Sequence, residues 1–421
     1  MKQERIVAGL DIGSARTTAV IAEVVGEPPR RPGVRVLGVG QARTTGLRRG
    51  AIADIEEATR SVRTALDEAE RMAGARPDGV YCGIAGEHVR AVTSQGIVAV
   101  AGDEITRADV ERVNGVARAL AIPPDRELLH AIPQEYTVDR TSGIQDPVGM
   151  GGMRLETEMY LVTIGSQPAA NVRKAVERAG HRVRELVLEP LASALAVLTE
   201  DEKELGVTLV EMGASATDVA VFHEGKIRHL ATVPYGGAHV TSDLVHGVNV
   251  SHSDAEQLKE QYGAALETMV GGDEVIGLPG TATHASREVP RELLAHIIHQ
   301  RLDEIFDLVA RGVHEAGFGA KIGGGYVLTG GGAELAGTAE LARDVFGATV
   351  RVGRPLDTIV GLREALDTPR EATVAGLALY GASRAALGAA PTSATPRRAT
   401  TGAPAMEKWR ERAKLWLQDF F

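Results

Sequence analysis

The sequence predicts an α/β protein built from a duplicated unit, with two lobes facing a shared cleft. Three observations predict it. Strand-like apolar runs alternate with helical periods along most of the chain. A strand–turn–strand unit occurs twice, the copies lying 200 residues apart. Each copy ends its first strand in an acid and then turns on small residues.

Size and charge set the limits. At 421 residues the chain is too long for one small core, so two or more packed units are expected. A composition 44% hydrophobic and 24% charged is that of a soluble globular protein. The net charge of −10 argues against general nucleic-acid binding, which needs a basic face, and no nucleic-acid partner is expected. One cysteine, Cys82, permits no internal disulfide and fits a reducing cytoplasm. Residues 1–5 run straight into an apolar strand without a signal-peptide core, and no long apolar run follows. Membrane contact is therefore expected to be peripheral.

In chain order, residues 6–10 and 18–25 read as strands around a glycine turn. Residues 54–72 read as a helix, because Ile55, Ala58, Val62, Ala65, Leu66, Ala69 and Met72 recur at three- and four-residue steps. Asp54 can cap it, with Glu57 three residues on, and Gly74 can end it. Residues 166–180 repeat the design, with Pro168 near the start and Gly180 past the end. Residues 292–315 carry Leu294, Ile297, Ile298, Leu302, Ile305, Phe306 and Val309 on one helical face. His296, His299 and His314 nearby invite a metal reading, but no third ligand is evident beside the first two, and solvated or core histidines are the plainer reading.

The duplicated unit carries the chemistry. Leu10-Asp11-Ile12-Gly13-Ser14-Ala15-Arg16-Thr17 matches Val210-Glu211-Met212-Gly213-Ala214-Ser215-Ala216-Thr217 position for position. Two unrelated hairpins would also fit turn statistics, though the shared length and flanking apolar runs favour duplication. Small residues at a turn let backbone N–H groups approach an anion, as a triphosphate requires. Its Mg²⁺ wants carboxylate oxygen and retained water, which Asp11 and Glu211 can supply. Gly13, Ser14, Ala15 and Arg16 then face the β- and γ-phosphates from one side, and Gly213, Ala214, Ser215 and Thr217 from the other. Asp218 reads equally as a turn residue bonding its own backbone. A third cluster, Gly330-Gly331-Gly332, follows a strand and lets backbone lie flat against a purine and ribose; taken alone it would read as a surface loop.

Five motifs in order carry a resemblance. They are Gly9-Leu10-Asp11-Ile12-Gly13, Leu188-Glu189-Pro190-Leu191-Ala192-Ser193, Val210-Glu211-Met212-Gly213, Leu328-Thr329-Gly330-Gly331-Gly332 and Ala372-Thr373-Val374-Ala375-Gly376. They look like the first phosphate, first connecting, second phosphate, adenosine and second connecting motifs of the actin, heat-shock-chaperone and sugar-kinase superfamily. Longer stretches, among them residues 80–86, Asp125-Arg126-Glu127-Leu128-Leu129-His130, Asp146-Pro147-Val148-Gly149-Met150 and Pro234-Tyr235-Gly236-Gly237, resemble the FtsA family of bacterial cell-division proteins.

The resemblance implies an actin-like (ribonuclease H-like) fold with ATP and Mg²⁺ as ligands. Residues 1–83, 162–194 and 373–387 would form the first lobe, and 195–230 with 300–372 the second. Residues 84–161 would be an inserted α/β subdomain, and 231–299 a smaller subdomain of the second lobe that the resemblance makes the FtsZ-binding region. It implies head-to-tail filaments of the chain itself on the inner membrane at the division site. FtsZ, the tubulin-like division protein, and downstream divisome proteins are the implied partners. Asp11 and Glu211 fall where the family holds hydrated Mg²⁺, and Glu189 matches a glutamate that reaches the metal's water shell. Glu256 and Lys259 match residues beside ribose and adenine, although Ser253-Asp254-Ala255-Glu256 also reads as a capping box.

Two departures stand out. The second phosphate turn usually carries three glycines where Gly213-Ala214-Ser215 stands, and the first usually carries lysine where Arg16 stands. They leave ATP binding in place and predict slow hydrolysis. A pilus-assembly scaffold of the same fold (PilM-like) and a small-molecule kinase are the other readings of the superfamily match.

The C-terminus differs in kind. Residues 388–404 are rich in Ala, Pro, Thr, Ser and Gly and read as a flexible linker. Four of the fifteen aromatics, Trp409, Trp416, Phe420 and Phe421, then fall in the last thirteen positions. Met406, Trp409, Ala413, Trp416, Leu417 and Phe420 share one helical face, with Lys408, Arg410, Arg412 and Lys414 flanking it and Leu415 adding apolar area. Sixteen helical residues span about 24 Å, short of the roughly 30 Å apolar core of a bilayer. Such a helix lies in the interface, rings buried and basic groups towards an anionic membrane surface. Docking on the chain's own core or a partner groove is the other reading.

Overall fold

The computed structural model describes residues 5–26, 32–278 and 286–386. The linker and tail readings lie outside the described residues. The chain opens as a meander of β1 (Ile6–Ile12), β2 (Arg16–Val25) and β3 (Gly33–Arg43). Both opening strands run further than their apolar spans suggest, because pairing continues to the bend: Asp11 faces Thr18 and Ile12 faces Thr17. A short hairpin, β4 (Leu47–Arg48) and β5 (Ala51–Ile52), leads into α1 (Ile55–Ala73). The Asp54 side chain accepts from the Glu57 N–H, and Gly74 ends the helix in the left-handed region. The stripe Ala58, Val62, Ala65, Leu66 and Ala69 is buried as its spacing predicts. β6 (Val80–Ile84) then pairs parallel with β1, the crossover helix making that possible.

An insertion follows: β7 (Val89–Ala99), α2 (Arg107–Arg118), β8 (Arg126–Val138), β9 (Thr141–Ile144) and β10 (Arg154–Gly165). These strands make a separate sheet in the order β7-β10-β8-β9. Val113 of α2, with Tyr136, Val138 and Leu155, gives this subdomain its own small core. The chain re-enters the first sheet through α3 (Ser166–Arg178) and β11 (Val183–Leu188), then runs into α4 (Glu189–Val197) and α5 (Glu200–Leu205).

The second lobe repeats the first. β12 (Val207–Met212), β13 (Thr217–His223) and β14 (Lys226–Val233) form its meander. α6 (Gly237–Val248), α7 (His252–Tyr262), β15 (Val275–Leu278) and β16 (Arg287–Pro290) build the smaller subdomain around the N-terminal part of α8 (Arg291–Glu315). β17 (Tyr326–Thr329), α9 (Thr338–Phe346) and β18 (Val350–Val352) complete the sheet. Its order, β14-β13-β12-β17-β18, mirrors β3-β2-β1-β6-β11 of the first sheet. The bends agree to the residue: Met212 faces Thr217 and Glu211 faces Asp218, as Ile12 and Asp11 face Thr17 and Thr18. Duplication, rather than two unrelated hairpins, accounts for that identity of register.

Several expected boundaries need correction. Those at 194/195, 230/231 and 299/300 fall inside α4, β14 and α8. β19 (Ile359–Gly361), expected in the second lobe, pairs with β3 of the first sheet. An edge strand accepts any suitably placed partner, and chain proximity does not choose it. The chain ends, among the described residues, in α10 (Ala372–Ala386), which packs on α4. A Cβ on Gly376 would lie 1.7 Å from the Ala192 carbonyl oxygen, so the two connecting helices touch backbone to backbone. They share one core with Leu209, Phe222 and Val327 of the second lobe, which seats the lobes on a common base. No helix among the described residues is long and apolar enough to cross a membrane.

Candidate functional site

The two bends meet across the lobes. Ser14 Oγ and Ser215 Oγ are hydrogen-bonded at 2.8 Å, although 201 positions separate them. Each bend is tight: a Cβ on Gly13 would lie 2.8 Å from Arg16 O, and one on Gly213 would lie 3.0 Å from Ala216 O. The third cluster joins them. Gly330 has φ +81°, and a Cβ there would strike the Met212 backbone oxygen at 2.6 Å. Gly331 begins a short 3-10 turn, so the cluster is ordered backbone against the second bend rather than a loose surface loop.

Behind the bends sits a cluster of acids. Glu211 Oε1 accepts hydrogen bonds from Ser193 Oγ at 2.9 Å and from Thr373 Oγ1, one on each connecting helix. Glu211 Oε2 is buried and has no hydrogen-bond partner. Glu189 opens α4 within electrostatic reach of Asp11; Gly83 makes room, since a Cβ there would lie 2.9 Å from Glu189 Cγ. Leu188, just before it, donates its N–H to His130 Nε2 at 3.0 Å. That imidazole is neutral, burial pushing it down to about 3. Asp218 is not a turn residue bonding its own backbone. It lies in β13 opposite Glu211 and accepts from Thr232 Oγ1 at 2.6 Å and from the Gly86 N–H. It also lines a hollow of about 420 Å³ between β7 and β14, on the side of the cluster where Pro190 and Pro234 lie.

Loss of solvent raises every acid in the cluster, and neighbouring acids add to it at Asp11, Glu189 and Glu211. Burial, then Glu211 and Glu371, push Asp11 up from 3.8 to about 8, against the pull of Arg16. Burial and Asp218 push Glu211 to about 7 against its hydroxyl partners, and burial pushes Asp218 to about 6. Glu189 is raised too, by burial and then by Asp11, Glu211 and Asp218. An all-oxygen anionic set with one unpartnered buried oxygen suits a hard, hydrated divalent cation. Without a cation the folded chain keeps these protons to higher pH than the unfolded chain does, so stability falls as pH rises from about 4 to about 8. The melting temperature of the metal-free protein is expected to drop across that window, with Mg²⁺ restoring part of it at the alkaline end. A profile flat with pH and indifferent to Mg²⁺ would remove the cluster's electrostatic role.

The other predicted residues divide. Arg16 turns to Gln41 and Glu371. Thr217 is fully buried and its hydroxyl donates to Tyr235 O at 2.8 Å, so it closes the bend rather than lining the cleft. Ala214 accepts from the Ala238 N–H at the start of α6, and Gly236 is needed there because a Cβ would lie 2.4 Å from Gly213 O. Lys259 Nζ contacts Glu256, Thr241 Oγ1 and Gly237 O at 2.8–3.1 Å, which places the Glu256–Lys259 pair beside the second bend. The capping box is overturned. Ser251 caps α7 by accepting from the Asp254 N–H, and Glu256 lies a turn further in. Its carboxyl is held low by Lys259 and Thr241 despite burial. His296 faces Glu267 and His299 faces Ala265 O, so neither shares a ligand set. Ser193, Thr373, His130, Gln41 and Glu371 were not singled out from sequence. Ser193, Thr373 and His130 sit inside the quoted motifs, and that position is the one available signal; Gln41 and Glu371 lie outside them.

Comparison with known proteins settles the family. Residues 208–376 match the family model described as cell division protein FtsA, and residues 86–163 match the SHS2 domain inserted in FtsA. The cell division protein FtsA of Pseudomonas aeruginosa is 38% identical over 99% of this chain and 98% of its own length. The chain belongs to the FtsA family. The Escherichia coli member is 35% identical over the same shares of both chains, and that of Neisseria meningitidis is 39% identical over 89% of this chain and 90% of its own. The SHS2 match falls on the β7–β10 subdomain. Among solved structures, the PilM–PilN type IV pilus biogenesis complex is 20% identical with a TM-score of 0.63, covering 89% of this chain and 98% of that one. MreB5 of Spiroplasma citri bound to ADP is 14% identical with a TM-score of 0.54, covering 91% and 98%. These likenesses establish the actin-like fold. Full-length FtsA relatives displace the pilus-scaffold and kinase alternatives.

Proposed function

We propose that this FtsA-family protein binds ATP with Mg²⁺ and polymerises head to tail on the cytoplasmic face of the inner membrane at the division site. There it tethers FtsZ filaments and helps recruit later divisome proteins. The observation that carries the nucleotide reading is the convergence of three glycine bends on Met212 and the Ser14–Ser215 contact, with Glu211 buried behind them and Asp11, Glu189 and Asp218 partly buried around it. The ADP bound by MreB5 supports the same reading of the shared fold.

Gly13, Ser14, Ala15, Gly213, Ala214 and Ser215 offer backbone and hydroxyl donors to the polyphosphate. Gly330, Gly331 and Gly332 take the purine and ribose, with Glu256 and Lys259 at the ribose edge. Asp11 and Glu211 hold Mg²⁺ through water, and Glu189 bonds that water shell. The metal would neutralise charge on the β- and γ-phosphates. The Cβ atoms of Ala214 and Ser215 narrow the phosphate approach, so turnover is slow. Membrane attachment is assigned to residues 405–421, with FtsZ meeting the smaller subdomain of the second lobe. Electron microscopy of the full chain with Mg-ATP on an anionic lipid monolayer tests the whole reading. Membrane-bound filaments are expected; a monolayer left bare with ATP present would refute it.

A further inference from the structure

Arg16, at the start of β2, belongs to a closed ring of three side chains. Its Nη1 donates to Gln41 Oε1 at 2.8 Å, and its Nη2 lies 3.2 Å from Glu371 Oε1. Gln41 Nε2 closes the ring by donating to the same carboxylate oxygen at 3.1 Å. Gln41 is itself fixed, since its backbone N–H donates to Glu68 Oε2 at 2.9 Å. Glu371 is only 4% exposed and ends the 3-10 turn Pro369–Glu371 that leads into α10. Its neighbour Arg370 turns the other way and pairs with Glu334, beyond the third bend, at 2.6 Å. Two consecutive residues thus fasten the first bend and the third.

A buried carboxylate is poorly placed here on electrostatic grounds. Glu371 repels Asp11 and would repel a polyphosphate held at the first bend. What offsets that cost is its hold on Arg16. A guanidinium carries five N–H groups in a rigid fork, so it can give two to Gln41 and Glu371 and keep others for an anion. An ammonium on a flexible stem has no such division of faces. Arg16 keeps 30% of its side chain exposed while held this way.

We propose that Glu371 is a positioning residue of the nucleotide site: together with Gln41 it fixes the Arg16 guanidinium so that its remaining N–H groups meet the polyphosphate. This rests on the nucleotide reading above. The sign of one substitution separates positioning from plain charge. If Glu371 acted only as a nearby negative charge, Glu371→Gln would tighten Mg-ATP binding. As a positioning residue, its loss weakens binding by about ten- to a hundredfold, by analogy with the loss of a partner that orients a metal ligand.

Calorimetry of Mg-ATP binding to the full-length protein, Glu371→Gln, Arg16→Lys, Arg16→Ala and the Arg16→Ala/Glu371→Gln double variant provides the test. Glu371→Gln and Arg16→Lys are both expected to lose affinity, and Glu371→Gln to add nothing once Arg16 is alanine. Unchanged or tighter binding by Glu371→Gln, parental affinity in Arg16→Lys, or a full further loss in the double variant would each overturn the proposal. Arg16→Lys, at a partly exposed position, keeps the test open if Glu371→Gln does not fold. A parent protein that binds no Mg-ATP would sink the nucleotide reading along with this one, whereas parental binding with an unaffected Glu371→Gln removes this one alone.

Discussion

Replacing Asp11 with alanine is expected to weaken Mg-ATP binding by about a hundredfold, close to 2.7 kcal/mol, while raising the melting temperature of the metal-free protein. The two effects have one cause. Asp11 is partly buried; desolvation first, and then Glu211 and Glu371, push it up to about 8, so its ionised form is unwelcome until a cation arrives. Alanine removes the repulsion and the metal's anchor together. Simple damage to the fold would lower both quantities, which makes the opposed signs diagnostic. Calorimetry and thermal melts with and without Mg²⁺ read them separately. Parental affinity in Asp11→Ala would count directly against the metal assignment.

Removing residues 406–421 is expected to abolish co-sedimentation with anionic vesicles and leave nucleotide binding intact. The argument is compositional: both tryptophans of the chain and two of its six phenylalanines lie in this segment. Each large side chain buried in the interface contributes about 1.5–3 kcal/mol before the cost of ordering. What is left suits reversible binding by a monomer and firm binding by linked copies. Raising the salt should weaken attachment only in part, since Lys408, Arg410, Arg412 and Lys414 add a screened attraction to an apolar one. Vesicle pelleting unchanged by the deletion would return the tail to its other reading, a helix docked on protein.

Much of the fold was legible because its signals are local. α1 follows its apolar stripe, with Asp54 and Gly74 as start and stop. The duplicated bends were legible because a tight turn leaves few residue types free, and the shared register of Asp11 and Glu211 follows from that turn. Where two local signals competed, sequence reading went astray. Ser251 and Ser253 can both start a helix, and the chain uses Ser251, which turns Glu256 towards Lys259 and Thr241. Thr217 looked like a donor to phosphate because it sits at the bend, yet its hydroxyl is spent on Tyr235 O.

The sequence by itself determined the alternation of elements, the repeated hairpin, the acids at its strand ends, the glycines that admit close approach and the amphipathic character of the tail. These depend on neighbours a few positions away, so spacing records them. Only the tertiary structure decided which polar groups share a partner: Thr373 with Glu211, His130 with Leu188, and Glu371 with Arg16. It also decided that β19 completes the first sheet. Hydrogen bonds and ion pairs are short-ranged in space and indifferent to chain separation, so a single glutamate 355 positions from its arginine leaves no periodic trace.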